Sequence, residues 1–265
     1  MIRNRRVALN GIWLDELDRR IVISGIEPAD GKETISDTDL AAGYGARITM
    51  FRRRTLDIVI KFMMLEHGRS VTGLEERSRL LETINAWAAP GGVLEVNYKP
   101  DRRLNVTLVQ APGEGSLVDY TKEFQITFRA YAIPFWETSR ATSVQIGGVS
   151  SGGTGSIMID GSAQPQCDVM IENKSGANID SCSVTIGPHT MTFSSLGLGG
   201  SEALVIDHMD GILRIRIRNS AGGYRSALAK RSGADDFMPQ PGNASCAFTA
   251  GRACQMTVSW RARFI

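Results

Sequence analysis

The sequence predicts a mainly β protein of two domains, and three observations carry that expectation. Most apolar residues recur with a period of two, the spacing at which strand side chains return to the same face. Only one stretch has helical spacing. The chain of 265 residues suits two domains of ordinary size, and its composition changes just after residue 136.

In the first half, Leu56, Ile58, Ile60 and Phe62 alternate with Asp57, Val59, Lys61 and Met63. Leu104, Val106 and Leu108 repeat the pattern, as do Phe124, Ile126, Phe128 and Ala130, with Gln125, Thr127 and Arg129 facing the other way. These segments read as half-buried strands. Between them, from Thr72 to Ala89, Leu74, Leu81, Ile84 and Ala88, joined by Leu80 and Trp87, fall at helical spacing. Thr72 with Glu75 reads as a capping box that satisfies free N–H groups at the helix start, and Pro90-Gly91-Gly92 ends the helix. Its apolar stripe is expected to lie across the sheet.

The first half closes at Pro134-Phe135-Trp136, which places the domains at 1–136 and 137–265. The Gly/Ser-rich stretch from Gly147 to Gly155 then reads as a linker. Beyond it short alternating segments recur: Ser156 to Ile159, Gln166 to Glu172, Ser183 to Ile186, Met191 to Phe193, Ala203 to Ile206, Ile212 to Arg218, and Ala253 to Phe264. That spacing indicates a β-sandwich or jelly roll. Asn173-Lys174-Ser175-Gly176 and Asp210-Gly211 are expected to form hairpin turns.

Composition narrows the function classes. A 42% hydrophobic content is enough to build a core, so disorder is not expected for most of the chain. Basic and acidic residues balance at 30 against 28. Neither half is a basic nucleic-acid domain. The basic start Met1 to Leu9 is followed by no long apolar stretch, so it does not read as a signal peptide, and no transmembrane span is expected. Cys167, Cys182, Cys246 and Cys254 lack the close pairing of zinc sites and redox motifs. They read as free core residues, although a disulfide between two of them also fits; cytoplasmic synthesis would keep them reduced.

The search for chemistry yields weak candidates. A literal G-x-S-x-G centres on Ser150, but a nucleophile elbow joins a strand to a helix, and here the pattern sits in the Gly/Ser stretch before more strand. His67, His189 and His208 are isolated; a distant assembly with Cys182 or Asp207 is the alternative to turn or surface histidines. Glu172, Asp207 and Asp210 give no sign of facing one another as glycosidase carboxylates do. There is no P-loop and no dinucleotide fingerprint. Thus no catalytic, cofactor-binding or metal residue is assigned, and no cofactor is expected. Two basic features suit a solvated face or a subunit contact: Arg52-Arg53-Arg54, and Arg214, Arg216 and Arg218, whose alternation places three guanidinium groups on one strand face.

The order of features resembles the distal tail protein family of long, non-contractile phage tails. The likeness rests on Asn10-Gly11-Ile12-Trp13-Leu14-Asp15, on Arg20 to Ile23 leading to Gly25-Ile26-Glu27, and on the turn Gly43-Tyr44-Gly45. The strand at Leu56, the helix ending near Trp87 and Pro134-Phe135-Trp136 follow in the same order. In the second half it rests on Asp160-Gly161, on Met238-Pro239-Gln240-Pro241-Gly242-Asn243, and on the ending Val258 to Phe264.

The resemblance implies a virion structural protein at the tail tip, assembled in the host cytoplasm and not an enzyme. Its residues 1–136 would be a β-sandwich or barrel-like ring-forming domain with one helix, and 137–265 a galectin-like β-sandwich. Six subunits would form a ring between the tail tube protein and the tail-tip protein, with receptor-binding proteins held outside. Two other readings compete with it. One is a carbohydrate-binding module with Trp260 and Tyr224 as sugar platforms; the other is a hydrolase built on Ser150 or on paired carboxylates such as Glu172.

Overall fold

A computed structural model describes residues 5–29, 33–39, 46–53, 55–66, 69–70, 73–112 and 123–265. The protein is mainly β, and its contacts divide it into two compact units, Met1–Trp136 and Glu137–Ile265.

The first unit runs β1 (Val7–Leu9), β2 (Ile12–Trp13), α1 (Leu14–Leu17), β3 (Ile21–Ala29), β4 (Glu33–Asp39), β5 (Ala46–Arg53), β6 (Leu56–Glu66) and β7 (Arg69–Ser70). It continues with α2 (Leu74–Ala88), β8 (Gly92–Val96), β9 (Arg102–Gln110) and β10 (Phe124–Ala130). Its sheet has the order β2-β1-β8-β9-β10-β6-β3, while β4 and β5 pair with each other. Register explains the core. Phe124, Ile126, Phe128 and Ala130 lie opposite Phe62, Ile60, Ile58 and Leu56, all buried. Aligned apolar residues on one face stabilise both strands, and the Phe62 and Phe124 rings stack at 5.6 Å.

Helix α2 buries Leu80, Leu81, Ile84, Trp87 and Ala88. Trp87 meets Phe128 edge to face at 6.1 Å and donates its indole N–H to the Ile12 carbonyl at 3.0 Å. Two details differ from expectation. Leu74 is 61% exposed, and Arg77 takes the next stripe position, buried with its guanidinium 5.4 Å from the Phe124 ring centroid. The cap position is Gly73, which has no side chain to cap with; Thr72 lies outside the described residues. After the helix the chain turns at Gly91, whose φ of 61° and close approach to the Val106 carbonyl leave no room for a Cβ.

Asn10 (φ 54°) and Gly11 (φ 81°) form the primed turn between β1 and β2. The Asn10 amide also donates to the Gly91 carbonyl at 2.8 Å and accepts from the Val93 N–H at 2.9 Å, tying this turn to the end of the helix. His67, Arg54 and Gly43-Tyr44-Gly45 lie outside the described residues, while Arg52 and Arg53 close β5.

Strand β11 (Trp136–Thr138) begins at the last residue of the first unit, and the second unit continues with β12 (Thr142–Ile159), β13 (Cys167–Asn173), β14 (Cys182–Ile186), β15 (His189–Phe193), β16 (Ala203–Met209) and β17 (Ile212–Arg218). The chain continues with β18 (Tyr224–Ser226), β19 (Arg231–Gly233), β20 (Gly242–Trp260) and β21 (Arg263–Phe264). The strand order of the nine-stranded sheet is β18-β17-β16-β13-β20-β14-β15-β19, with β12 along β20, while β11 and β21 pair with each other outside it. The long strand β20 organises this order. Its first part, Cys246–Ala250, pairs with β14, and its second, Cys254–Trp260, pairs with β13. Along the β12–β20 ribbon the continuous nine-stranded ladder thus folds into two layers, each a sheet packed on one core that includes Phe237, Phe248, Trp260 and all four cysteines.

This corrects the linker expectation. Gly147 to Gly155 is the interior of β12, where the ribbon register shifts between Ile146 and Gly152. Glycine is required there on steric grounds. Gly147 has φ 65°, and a Cβ on Gly153 would stand 2.8 Å from the Phe248 ring. Asp210 (φ 52°) and Gly211 (φ 77°) do form the β16–β17 hairpin turn. Asn173 to Gly176 do not form a hairpin, because β13 pairs with β16 and β20. Instead buried Asn173 donates to the carbonyls of Ala177, Leu198 and Gly199 at 2.6, 2.9 and 3.0 Å, holding a loop between the two sheets.

Candidate functional site

The candidate residues singled out in the sequence that fall among the described residues each have a definite place. Ser150 sits in β12 and donates to the Gly152 carbonyl at 2.5 Å, so its hydroxyl is engaged by backbone within the ribbon. His189 faces the Met238 carbonyl at 3.2 Å. Trp260 is buried in the core and presents no platform to a ligand. The four thiols are free and buried. Burial pushes Cys167 and Cys182 up to about 12 and Cys246 and Cys254 up to about 11, so none is a thiolate at neutral pH. No cluster of metal-ligating residues occurs among the described residues, nor does any helix there suit a membrane.

In the first unit, a cleft beside α2 is lined by Asp18, Arg20, Glu75, Glu76 and Arg79. Its charges are paired internally: Arg20 binds Asp18 at 2.8 Å and also Glu76, and Arg79 binds Glu75 at 2.8 Å.

The second unit holds two polar constellations, the first of which was not legible locally. In the first, His208 on β16 is held between Asp168 of β13 and Asp236 of the segment after β19. Its Nδ1–H donates to Asp168 Oδ1 and its Nε2–H to Asp236 Oδ1, each at 2.8 Å. Only an imidazolium donates from both nitrogens. Burial works against that charge, but the two carboxylates outweigh it and push the His208 pKa up to about 9. Burial raises Asp236 in turn, and His208 reverses the effect and holds it below its ordinary value. The network continues through Gln166, which donates to Asp236 at 3.3 Å and accepts from Arg263 at 2.7 Å, to the Arg263–Glu137 pair at 3.0 Å. It binds the start and end of the unit to β13 and β16.

The second constellation is the outer face of the sheet built by β13, β16, β17 and β18. Register sets Asp207, Val205 and Ala203 opposite Arg214, Arg216 and Arg218, so the three arginines do share one face. Asp207 Oδ2 accepts from Arg214 and, at 2.8 Å, from Arg216; Glu172 lies 3.7 Å from Arg218 and 3.1 Å from Lys174. Arg216 also stacks 4.2 Å from the centroid of the Tyr224 ring, which is 52% exposed. Asp207 and Glu172 are thus guanidinium partners in an ion-pair lattice.

The opposite sheet presents a different surface. Its outward residues Thr154, Ser156, Ser183, Thr185, Thr190, Thr192, Ser232, Ser245 and Thr249 are hydroxyl-bearing. Two cross-strand hydroxyl pairs, Thr185–Thr190 and Thr192–Ser232, lie at 3.0 Å.

No protein-family model matches the sequence, and no curated protein matches it. Among solved structures the chain is similar to the phage protein SPP1 Dit (gp 19.1), a paradigm of the hub adsorption apparatus in phages infecting Gram-positive bacteria. The TM-score is 0.69 at 12% identity, covering 99% of this chain and 100% of that one. Similarity to the phage P2 baseplate in its activated conformation with Ca is lower, with a TM-score of 0.49 at 9% identity over 100% of both chains. At 12% identity the likeness to SPP1 Dit is one of fold, and it extends over both units.

Proposed function

We propose that the chain belongs to the distal tail protein family and is a structural hub at the tip of a long, non-contractile phage tail. The observation that carries this reading is the shared fold with SPP1 Dit over 99% of the chain, which spans both of its units. An isolated β-sandwich recurs among many functions, whereas a match spanning two successive units is far more restrictive. In this reading residues 1–136 assemble into a hexameric ring that joins the tail tube protein to the tail-tip protein. Residues 137–265 form a galectin-like domain outside it, where receptor-binding proteins attach.

A ring suits a chain whose chemistry is all pairing. Each head-to-tail contact needs on the order of a thousand Å² of complementary surface and no catalytic group. Light scattering and negative-stain imaging of the purified protein, alone and with the tail tube protein of the same phage, test the reading. Six-fold rings, or rings nucleated by the tube protein, are expected. A strict monomer at high concentration that also ignores the tube protein would overturn it.

A further inference from the structure

We propose that the outer face of β16, β17 and β18 docks an acidic, carboxylate-bearing segment of a partner protein. The inference does not depend on ring assembly. It rests on three features of that face. First, four cations, Lys174, Arg214, Arg216 and Arg218, meet two carboxylates, Glu172 and Asp207, along the paired strands. Asp168, at the far end of the same face, is already engaged by His208. The face therefore holds unspent positive charge in alternate positions of one strand, the spacing at which carboxylates of an extended segment recur.

Second, its donors are incompletely used. Nε of Arg214 and Nε of Arg216 are buried without a hydrogen-bond partner. Buried groups left so are destabilising until a partner supplies the missing bond. Third, the composition is that of a binding centre. Arginine, tyrosine and methionine are enriched in protein interfaces, and here Arg216 stacks on Tyr224, Arg214 donates to the Met209 sulfur at 2.9 Å, and Met209 and Ile212 are exposed at the adjoining hairpin. Stacking fixes Arg216 in advance, which lowers the ordering cost of binding.

A protein segment fits better than a nucleic acid. Two carboxylates remain within the face, and a uniformly charged polymer would be repelled by both, whereas a segment with a few acidic side chains can avoid them. The net charge of the whole chain, +2, provides no broad basic field either.

The test is fluorescence anisotropy of the full chain with a labelled peptide alternating Glu and Thr, compared with its Gln-for-Glu twin and with single-stranded oligo(dT). The Glu peptide is expected to bind about tenfold tighter than the Gln twin, with the difference shrinking at high salt. Ser226 pairs across from Arg216 on exposed β18. Ser226→Glu therefore places a carboxylate on the face and is expected to reduce Glu-peptide binding to the Gln level, with an unchanged melting midpoint reporting the fold. Arg218→Gln, at a side chain 40% exposed, serves if Ser226→Glu does not fold, and is expected to weaken binding several-fold. Thr192→Glu on the opposite sheet should leave binding unchanged. Equal affinity for both peptides, or full affinity retained in the folded face variant, overturns the proposal; tighter binding of oligo(dT) overturns it in favour of a nucleic-acid surface.

Discussion

The two sheets of the second unit close over one core yet present opposite surfaces. One is an ion-pair lattice around Asp207 and Glu172, and the other is a field of serine and threonine hydroxyls. Inward residues obey the same rule in both, since each strand must bury every second side chain. The outward residues are released from that rule. Threonine on an exposed strand needs no further explanation, because it suits the pleated backbone. A strand that carries three arginines paired to neighbouring strands does, because it ties three long side chains into one geometry for the small gain that exposed ion pairs return.

Four experiments would break or sharpen this contrast. The largest effect is expected where the faces share a foundation. Phe248→Ala should cost about 3–5 kcal/mol in denaturant titration, since Phe248 is fully buried beneath the glycine bend. Hydrogen exchange should show β15 and β17 losing protection together. Independent loss in the two sheets would mean that they do not rest on one core.

Next comes the His208 network, expected to contribute about 2–3 kcal/mol. The folded pKa, about 9, lies above the ordinary 6.5. Its stabilisation is therefore fully present below 6.5 and is lost as pH rises through about 9. Urea midpoints across that window should fall in the native chain and stay flat in His208→Gln. An NMR titration placing the His208 transition near 6.5 would remove the network's charge from the account.

Smaller still, Asp207→Asn should cost about 1 kcal/mol and tighten binding of the Glu peptide, because it removes a carboxylate from the lattice. Weaker binding would show that Asp207 organises the arginines more than it neutralises them. Last, Thr192→Glu on the hydroxyl face should shift stability by no more than about 0.5 kcal/mol. A larger loss would give that face a structural role that the contrast denies it.

Local patterning made much of the fold legible. A period of two marks β6, β10, β13 and β17, and a period near 3.6 marks α2, because these follow from bond geometry and the need to bury one face. Asp210-Gly211 declared its turn through the positive φ it tolerates. The arginine face was also visible, since Arg214, Arg216 and Arg218 alternate on one strand. The order of elements along both halves pointed to the fold shared with SPP1 Dit.

What escaped local reading depends on residues that meet from a distance. A glycine run reads as a linker until Phe248 is found against Gly153, which turns the same residues into the bend of a long strand. Asn173 to Gly176 looks like a hairpin until β13 is seen to pair elsewhere. His208 was isolated in sequence, and its partners Asp168 and Asp236 stand 40 and 28 positions away. Periodicity determines which side chains share a face, because that is a property of one strand. Which faces, charges and hydroxyls come together is a property of strand pairing, and only the tertiary structure decides it.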